Sequence, residues 1–357
     1  MTASIINFPR QQTLHQRIDR LLDFTPEIRI RKLEHGAVKV NDIVIKNYYG
    51  AWVCKDESFF RRKSAVGYAL CLLRKDFKKA KQIKKERKLL KVLFAQNKKI
   101  FLMACGDDYP VIRHYLEGNQ RYHILTPYLE NKGKNYANFS LKYMSPKFKS
   151  LFEFIYEHAK AVIPSDIDYK LSWTNWKKVT PVIPNPILIP KTYNPIDCKD
   201  RKVIIFLGIN SLNYLKKGYQ YFENALDKLQ KNHPGKIEIR RTKNLPFDEY
   251  VKHLESCDIL LDAIFYYDQG YNALEAMARG KVVFTGAENE FMEHYNLKHR
   301  VCINSLPDVD QIYSELESLV LNPEKINEIG KKARKFIEQE HHHKTVAKKY
   351  IQVWKDN

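Results

Sequence analysis

From residue 202 onward the chain repeats one pattern: a short run of apolar, largely branched residues, a turn, then a segment with helical apolar spacing. KVIIFLG (202–208), KIEIR (236–240), DILLDA (258–263) and KVVFTG (281–286) are the runs, with VCI (301–303) a shorter fifth. Runs that are apolar at nearly every residue suit strands buried on both faces, as in a parallel sheet. The segments between them read as helices. Leu215 to Gln230 places Tyr219, Phe222, Leu226 and Leu229 on one face, and 245–257 does the same with Tyr250, Val251 and Leu254. Segments 271–280, 307–321, 323–339 and 344–355 continue the series. Such alternation predicts an α/β fold of the Rossmann-like kind, its sheet covered by helices on both sides.

Upstream of this series, Pro181 to Pro195 carries five prolines among extended residues and reads as a linker. Before it, SIINF (4–8), AVKVNDIVIKNY (37–48), KIFLMAC (99–105) and YHILTPYL (122–129) read as strands. LFEFIYEHAKAVIPS (151–165) reads as a helix running into a strand, and Phe59 to Phe94 as a long basic helical stretch. Met1 to Arg10 lacks a signal-peptide pattern. The longest apolar stretch of the first half, Ala65 to Leu73, is far below the roughly 20 residues of a membrane span. A cytoplasmic protein is expected, with peripheral attachment to the inner membrane face as a further option. The six cysteines (54, 71, 105, 198, 257 and 302) have no paired spacing, so each is expected to be a buried thiol.

Charge is distributed unevenly. Residues 1–190 hold 35 Lys/Arg against 17 Asp/Glu, so +18 of the formal +20 lies before the linker. An acidic partner is implied: anionic lipid, a phosphorylated acceptor, or nucleic acid. In 59–94 Val66, Ala69, Leu70 and Leu73 share a helical face flanked by Arg61, Arg62, Lys63, Arg74 and Lys75, which suits an anionic membrane. A solvated basic helix has the same composition. Nucleic-acid binding has charge as its only support, without a fold motif or interleaved aromatics, and is not expected.

In an open parallel sheet ligands bind where strands lead into helix N-termini. Two such junctions stand out. In FLGINSLNYLKKGYQYF (206–222), Gly208 ends a strand and Lys216, Lys217 and Gly218 precede a helix. Free N–H groups, the helix dipole and a lysine would favour a phosphate there, although a Lys-Lys-Gly loop is also ordinary solvated surface. In DILLDAIFYYDQGYNALEAMARGKVVFTG (258–286), Gly270 permits a tight turn or close backbone approach. Glu275 falls on the first turns of the following helix, suited to accept from ribose hydroxyls, or else simply a surface carboxylate.

The segment GYNALEAMARGKVV resembles the donor-site signature of retaining glycosyltransferases of the family 4 kind, the glycosyltransferases group 1 domain. Gly270, Glu275, Ala276, Met277, Ala278, Gly280, Lys281 and Val283 match its pattern. FLG…KKG is similar to that family's diphosphate loop, with Lys217 as counterpart of its lysine. AKAVIPSDIDYK and VIPNPI resemble the end of the first domain and the linker, and 322–354 the closing helices. The likeness covers roughly 155–355. It departs at Tyr267, where the family often has a glutamate, with Asp268 one place off. It departs again after Gly208, where Ile209 and Asn210 replace an arginine that Lys216 could substitute.

The resemblance implies a GT-B fold: two Rossmann-like domains facing across a cleft. Residues 1–190 would bind a glycan or lipid-linked acceptor, 191–340 the nucleotide-diphosphate sugar, and 341–357 would form a helix crossing back to the first domain. The donor site would comprise Gly208, Lys216, Lys217, Gly270, Tyr271, Asn272 and Glu275. No metal or cofactor is expected. The implied reaction is sugar transfer with retention of configuration, in surface polysaccharide or lipopolysaccharide synthesis. The departure at Tyr267 keeps a non-catalytic nucleotide- or sugar-binding relative as the alternative. His114, His123 and His158 are catalytic candidates by residue type alone. Asp166-Ile167-Asp168 has the Asp-x-Asp spacing of a metal-holding loop, which a turn explains as well, and His341-His342-His343 reads as a solvated run.

Overall fold

The computed structural model describes residues 30–32, 37–40, 43–48, 51–54, 83–130 and 140–357. Two compact units result, 1–89 and 90–357. In the first, β1 (Ile30–Lys32), β2 (Ala37–Val40), β3 (Ile43–Tyr48) and β4 (Ala51–Cys54) form an antiparallel meander in sequence order. The run 37–48, read as one strand, is thus two antiparallel strands, with Val40 paired to Ile43. The expected strand at 4–8 and residues 59–82 of the basic stretch lie outside the described residues, and 83–96 is helical.

The second unit begins with a small parallel sheet, β5 (Leu102–Ala104) beside β6 (Val162–Pro164), in register Leu102 to Val162. Between them run α1 (Tyr109–Leu116), α2 (Thr126–Glu130) and α3 (Pro146–His158). After β6 comes α4 (Ile167–Ser172). Residues 122–129 are therefore no strand. The segment is largely buried, so its apolar run is real, but Pro127 and the local bond that the His123 N–H donates to Thr126 Oγ1 favour a helical turn. The side chains of Asp108 and Asp166 cap α1 and α4, accepting from Val111 N and Tyr169 N. Phe152, Tyr156, Trp173 and Trp176 pack as one aromatic cluster beneath these helices, with ring centroids 5.2–6.1 Å apart.

Beyond the linker the expected series is present. β7 (Val203–Ile209), α5 (Tyr219–Asn232), β8 (Ile237–Lys243), α6 (Phe247–Ser256), β9 (Ile259–Leu261), α7 (Tyr271–Ala278), β10 (Val282–Thr285), α8 (Asn289–His294) and β11 (Ile303–Asn304) alternate. They are followed by α9 (Val309–Leu321), α10 (Pro323–Phe336), a π-helical turn (Ile337–His341) and α11 (His343–Asp356). The five strands are parallel, in the order β11-β10-β9-β7-β8. Central β9 and β10 are wholly buried, whereas edge strand β8 alternates, as IEIRRTK requires. Tyr219, Phe222, Leu226 and Leu229 of α5 are all buried in the core beneath the sheet. Among the described residues no helix is long and apolar enough to cross a membrane.

The proline-rich linker has little backbone pairing of its own, and other elements satisfy it. Ile187 N–H donates to the His341 carbonyl and its own carbonyl accepts from His343 N–H. Arg334 reaches the Pro190 carbonyl (3.1 Å) and Asn327 the Ile196 carbonyl (2.8 Å). Tyr193 lies over Gly280, whose φ of +71° and 2.3 Å clearance for an added Cβ exclude any side chain. The last helix, α11, rests Val346, Tyr350 and Val353 against Phe101, Ile163 and Ile183.

Two expectations are corrected. Cys198, Cys257 and Cys302 are buried, but Cys105 is exposed because it follows β5 at the sheet's open end. His341 is no member of a solvated run. It is 3% exposed, its ring against Phe336 and its Nδ1 2.9 Å from the Asn185 carbonyl, because the π-helical turn rotates it inward.

Burial lowers the His341 pKa from 6.5 to about 4. The unfolded chain then binds the extra proton between those values, so this residue's contribution is full above pH 6.5 and is lost as pH falls toward 4. At about 1.4 kcal/mol per pKa unit, the stability advantage of wild type over His341→Gln should shrink by roughly 2–3 kcal/mol between pH 7 and pH 4. Chemical denaturation of both proteins across that range would check it, and a constant difference would refute the assignment.

Candidate donor site

The chain leaves β7 toward edge strand β8, then crosses back to place β9 on the other side of β7. The carboxyl ends of β7 and β9 therefore flank the point where connections diverge, the general position for ligands in open α/β sheets. The loop after β7 runs through a 3₁₀ turn (Ser211–Asn213) to Gly218, which starts α5 with φ +67°. A Cβ at Gly218 would lie 2.9 Å from that of Ile264, so only glycine lets the β7 and β9 loops meet this closely. The Lys217 carbonyl accepts from Ile264 N–H at 3.0 Å.

At this meeting point Lys217 Nζ donates to Asp262 Oδ1 at 2.6 Å, with side chains 18% and 3% exposed. Asp262 directly follows β9. A carboxylate at the end of a buried strand needs a counter-charge, and Lys217 provides it from the neighbouring loop. Lys216 is adjacent in the same loop. Gly208 lies one residue inside the end of β7, where an added Cβ would come 2.5 Å from the Tyr250 ring.

The β9 loop continues through Tyr266, Tyr267 and Asp268 to Gly270, the N-cap of α7. Gly270 has ordinary extended dihedrals, and an added Cβ would meet nothing within 4 Å. Its value is open space in front of a helix N-terminus without a side-chain cap. The first N–H groups of α7 and the positive end of its dipole face outward there, beside the exposed Tyr271 and Asn272. Glu275 lies one turn on, half-buried, and accepts from Arg279 Nη1 at 2.5 Å. Lys217 is thus charge-paired with Asp262 and Glu275 with Arg279, while the first amides of α7 are left without a side-chain cap, the feature on which an anion could be held.

The loop itself is clamped. Asp168 accepts from the N–H groups of Tyr267 (3.1 Å) and Asp268 (3.1 Å), while Asp268 accepts from Ile167 N–H (3.0 Å) and Gln269 N–H (2.7 Å). Burial, opposed by these N–H donors, pushes Asp168 up to about 7 and Asp268 up to about 6. The Asp-x-Asp pair is thus spent as a helix cap and a loop clamp. Among the described residues no group of three or more His, Cys, Asp or Glu is placed to hold a metal ion.

Tyr267, in the position of the family's glutamate, is 1% exposed. Its Oη accepts from Arg121 N–H at 3.0 Å, and the Arg121 guanidinium lies 4.9 Å above its ring. Arg121 also holds Glu288 (2.7 Å) and Glu290 (2.9 Å), while the Tyr122 hydroxyl donates to Glu288 and Asn304 donates to it at 2.7 Å. His123 stacks on Tyr115 at 4.5 Å, and burial lowers it to about 4, so it serves the core. His158 closes its own helix, Nδ1 2.8 Å from the Phe154 carbonyl. His114 lines a cavity beside Tyr267. Sequence reasoning missed Asp262, Arg121 and Glu288. For Asp262 the signal was present, a lone carboxylate ending an apolar run; Arg121 and Glu288 are brought together only by the tertiary fold.

Residues 216–352 match a family described as glycosyl transferase-like. No curated protein sequence matches the chain. Among solved structures it is similar to a mutant of TarM from S. aureus in complex with Fondaparinux, alpha-GlcNAc-glycerol and UDP (14% identity, TM-score 0.45, covering 58% of this chain and 46% of that one). It is also similar to sucrose-phosphate synthase from Thermosynechococcus elongatus (13%, TM-score 0.45, 66% and 72%) and to Anabaena HepE with UDP-glucose (12%, TM-score 0.40, 59% and 68%). The chain thus spans about half the length of TarM.

If Lys217 holds Asp262 as described, Lys217→Met leaves a buried charge unpaired and should destabilise the protein by about 3–5 kcal/mol. Adding Asp262→Asn should recover most of that loss. Denaturation midpoints of the two variants decide it; a Lys217→Met protein as stable as wild type would remove the pair's structural role.

Proposed function

We propose that the protein is a glycosyltransferase that moves a sugar from a nucleotide-diphosphate sugar to a glycan or lipid-linked acceptor, with retention of configuration and without a metal. The observation that carries this reading is the pinned Lys217 at the junction of the β7 and β9 loops, within the domain matched over 216–352 and leading to the uncapped α7. As the bond from the sugar's anomeric carbon to the diphosphate breaks, negative charge grows on the departing phosphate. Lys217, Lys216 and the α7 N–H groups stabilise it there. The acceptor oxygen bonds to the anomeric carbon on the face that the diphosphate leaves and passes its proton to the departing phosphate oxygen. Glu275, oriented by Arg279, accepts from the ribose hydroxyls, and Gly208, Tyr271 and Asn272 complete the donor surface.

In this reading residues 1–190 supply the acceptor side of a GT-B cleft, 191–340 the donor side, and 341–357 the helix that returns to the first. Surface polysaccharide or lipopolysaccharide synthesis suits the basic first half. In the helical segment 83–96, Leu89 (66% exposed) and Val92 (52%) lie among exposed Lys84, Lys85, Lys88 and Lys91. Such a surface would meet anionic lipid at the cytoplasmic membrane face, with about 1 kcal/mol from each basic residue. A second reading, a nucleotide-binding relative without turnover, is favoured by Tyr267, whose side chain is committed to Arg121 in the place of the family's glutamate.

A thermal-shift panel of UDP, GDP, ADP and CMP on wild type and Glu275→Ala tests the donor site. Ligand at about 100 times its Kd adds roughly 2.7 kcal/mol. One diphosphate should stabilise wild type and act more weakly on Glu275→Ala; no response from any nucleotide would overturn the donor site. Release of nucleoside diphosphate from the matching sugar donor then separates a transferase from a binding protein.

A further inference from the structure

Asp168 and Asp268, 6% and 4% exposed, lie side by side where α4 meets the loop between β9 and α7. Each reaches across to the other's segment. Asp168 accepts from the Tyr267 and Asp268 N–H groups at 3.1 Å, and Asp268 accepts from Ile167 N–H at 3.0 Å. The joined residues are 99 to 101 positions apart in sequence, so it is these bonds, and not chain continuity, that hold the loop to α4. Asp166, which caps α4, faces both carboxylates as a third.

The donors in these bonds are neutral amides, so none of them cancels a full negative charge. Around the cluster stand Tyr115 from α1, Tyr169 from α4, Tyr266 from the loop, Tyr295 closing α8, and Cys302 just before β11. Burial raises the pKa of all five, so each is neutral at physiological pH. Asp107, after β5, faces the first three and adds one more carboxylate. Carboxylates this close in an enclosed site cannot all ionise without repulsion, and the cluster retains protons. Burial, then the neighbouring negative charge, pushes Asp168 up from 3.8 to about 7; burial pushes Asp268 up to about 6.

We infer that this cluster is a proton-dependent latch: while it holds its protons the loop stays against α4, and when it gives them up the loop parts from α4 and the carboxylates regain water. In the parted form each carboxylate returns toward its ordinary 3.8, so the latched form carries the extra protons between about 4 and 7. Latching is therefore strongest below that window, weakens as pH rises through it, and levels off above about 7. The bond from Arg121 N–H to Tyr267 Oη does not titrate in this range, which confines the release to the α4 side of the loop. Gly270 follows the loop and starts α7, so nucleotide affinity falls over the same window; this last step rests on the transferase reading.

The test is amide hydrogen exchange of the full-length protein without nucleotide, expressed as protection over the intrinsic rate, from pH 5.5 to pH 8. Protection of the Tyr267 and Asp268 amides should fall about tenfold or more across that range, while the paired amides of β9 and β10 keep theirs. Asp168→Asn retains an acceptor and loses the charge, so its loop should remain protected at pH 8. Asp168→Ala has no acceptor and should be open at every pH. Flat protection in wild type, or an Asp168→Asn loop that opens with pH as wild type does, would overturn the latch. The wild-type series stands by itself if either variant fails to fold. Titrations with UDP, GDP and ADP at both ends of the range form the second arm, and wild type should lose affinity toward pH 8 relative to Asp168→Asn. A pH-dependent loop with no nucleotide bound at either pH would keep the latch and remove the donor site. Nucleotide binding with flat protection would do the reverse.

Discussion

A carboxylate at the end of a buried strand is the constraint around which this molecule is arranged. Asp262 follows three residues that are fully enclosed by sheet and helices, so it carries its charge to the rim of the core and must meet an opposite charge there. Lys217 can do so only if the β7 loop turns back onto the β9 loop, and that approach is possible only because Gly218 has no Cβ. The pair therefore fixes the relative height of two loops at the one place where the sheet's connections diverge. Whatever binds there meets a lysine whose position is already set, so little ordering entropy remains to oppose binding.

The second half of the same loop is set by a different device. Asp168 accepts two successive N–H groups, and Asp268 returns a bond to the N-terminus of α4. Reciprocal bonds of this kind hold a loop more rigidly than apolar contact does, because each donor has one direction. Burying both carboxylates carries an electrostatic cost, visible in their raised pKa values. The clamp consumes the groups that an Asp-x-Asp motif would offer a cation, which is why spacing alone misleads at this position.

Much of the fold was legible because periodicity is local. The strands from 203 to 285 and the apolar face of α5 follow from runs and spacings that need no knowledge of the tertiary structure. The failures share a cause as well. Residues 122–129 are apolar enough for a strand, yet Pro127 and a threonine side chain give them a helical turn. His341 looks solvated among its neighbours, but a single π-helical turn changes which face it takes. Around the candidate site, motif and junction chemistry single out Lys217, Gly270 and Glu275 in the sequence. Asp262 was visible as an anomaly without a partner. Arg121 and Glu288 lie 167 residues apart and could be joined only by folding.

Tyr267 fixes the outer side of the same loop. A glutamate there would present a charge, whereas the tyrosine presents a ring under Arg121 and a hydroxyl to a backbone N–H. Charge at this position is instead carried by Glu288, which is satisfied by Arg121, Tyr122 and Asn304 and is therefore not offered to a ligand. The consequence is a loop whose inner side leads to the uncapped start of α7 and whose outer side is closed by Arg121 and its two glutamates, so the charge around Tyr267 is spent on the scaffold.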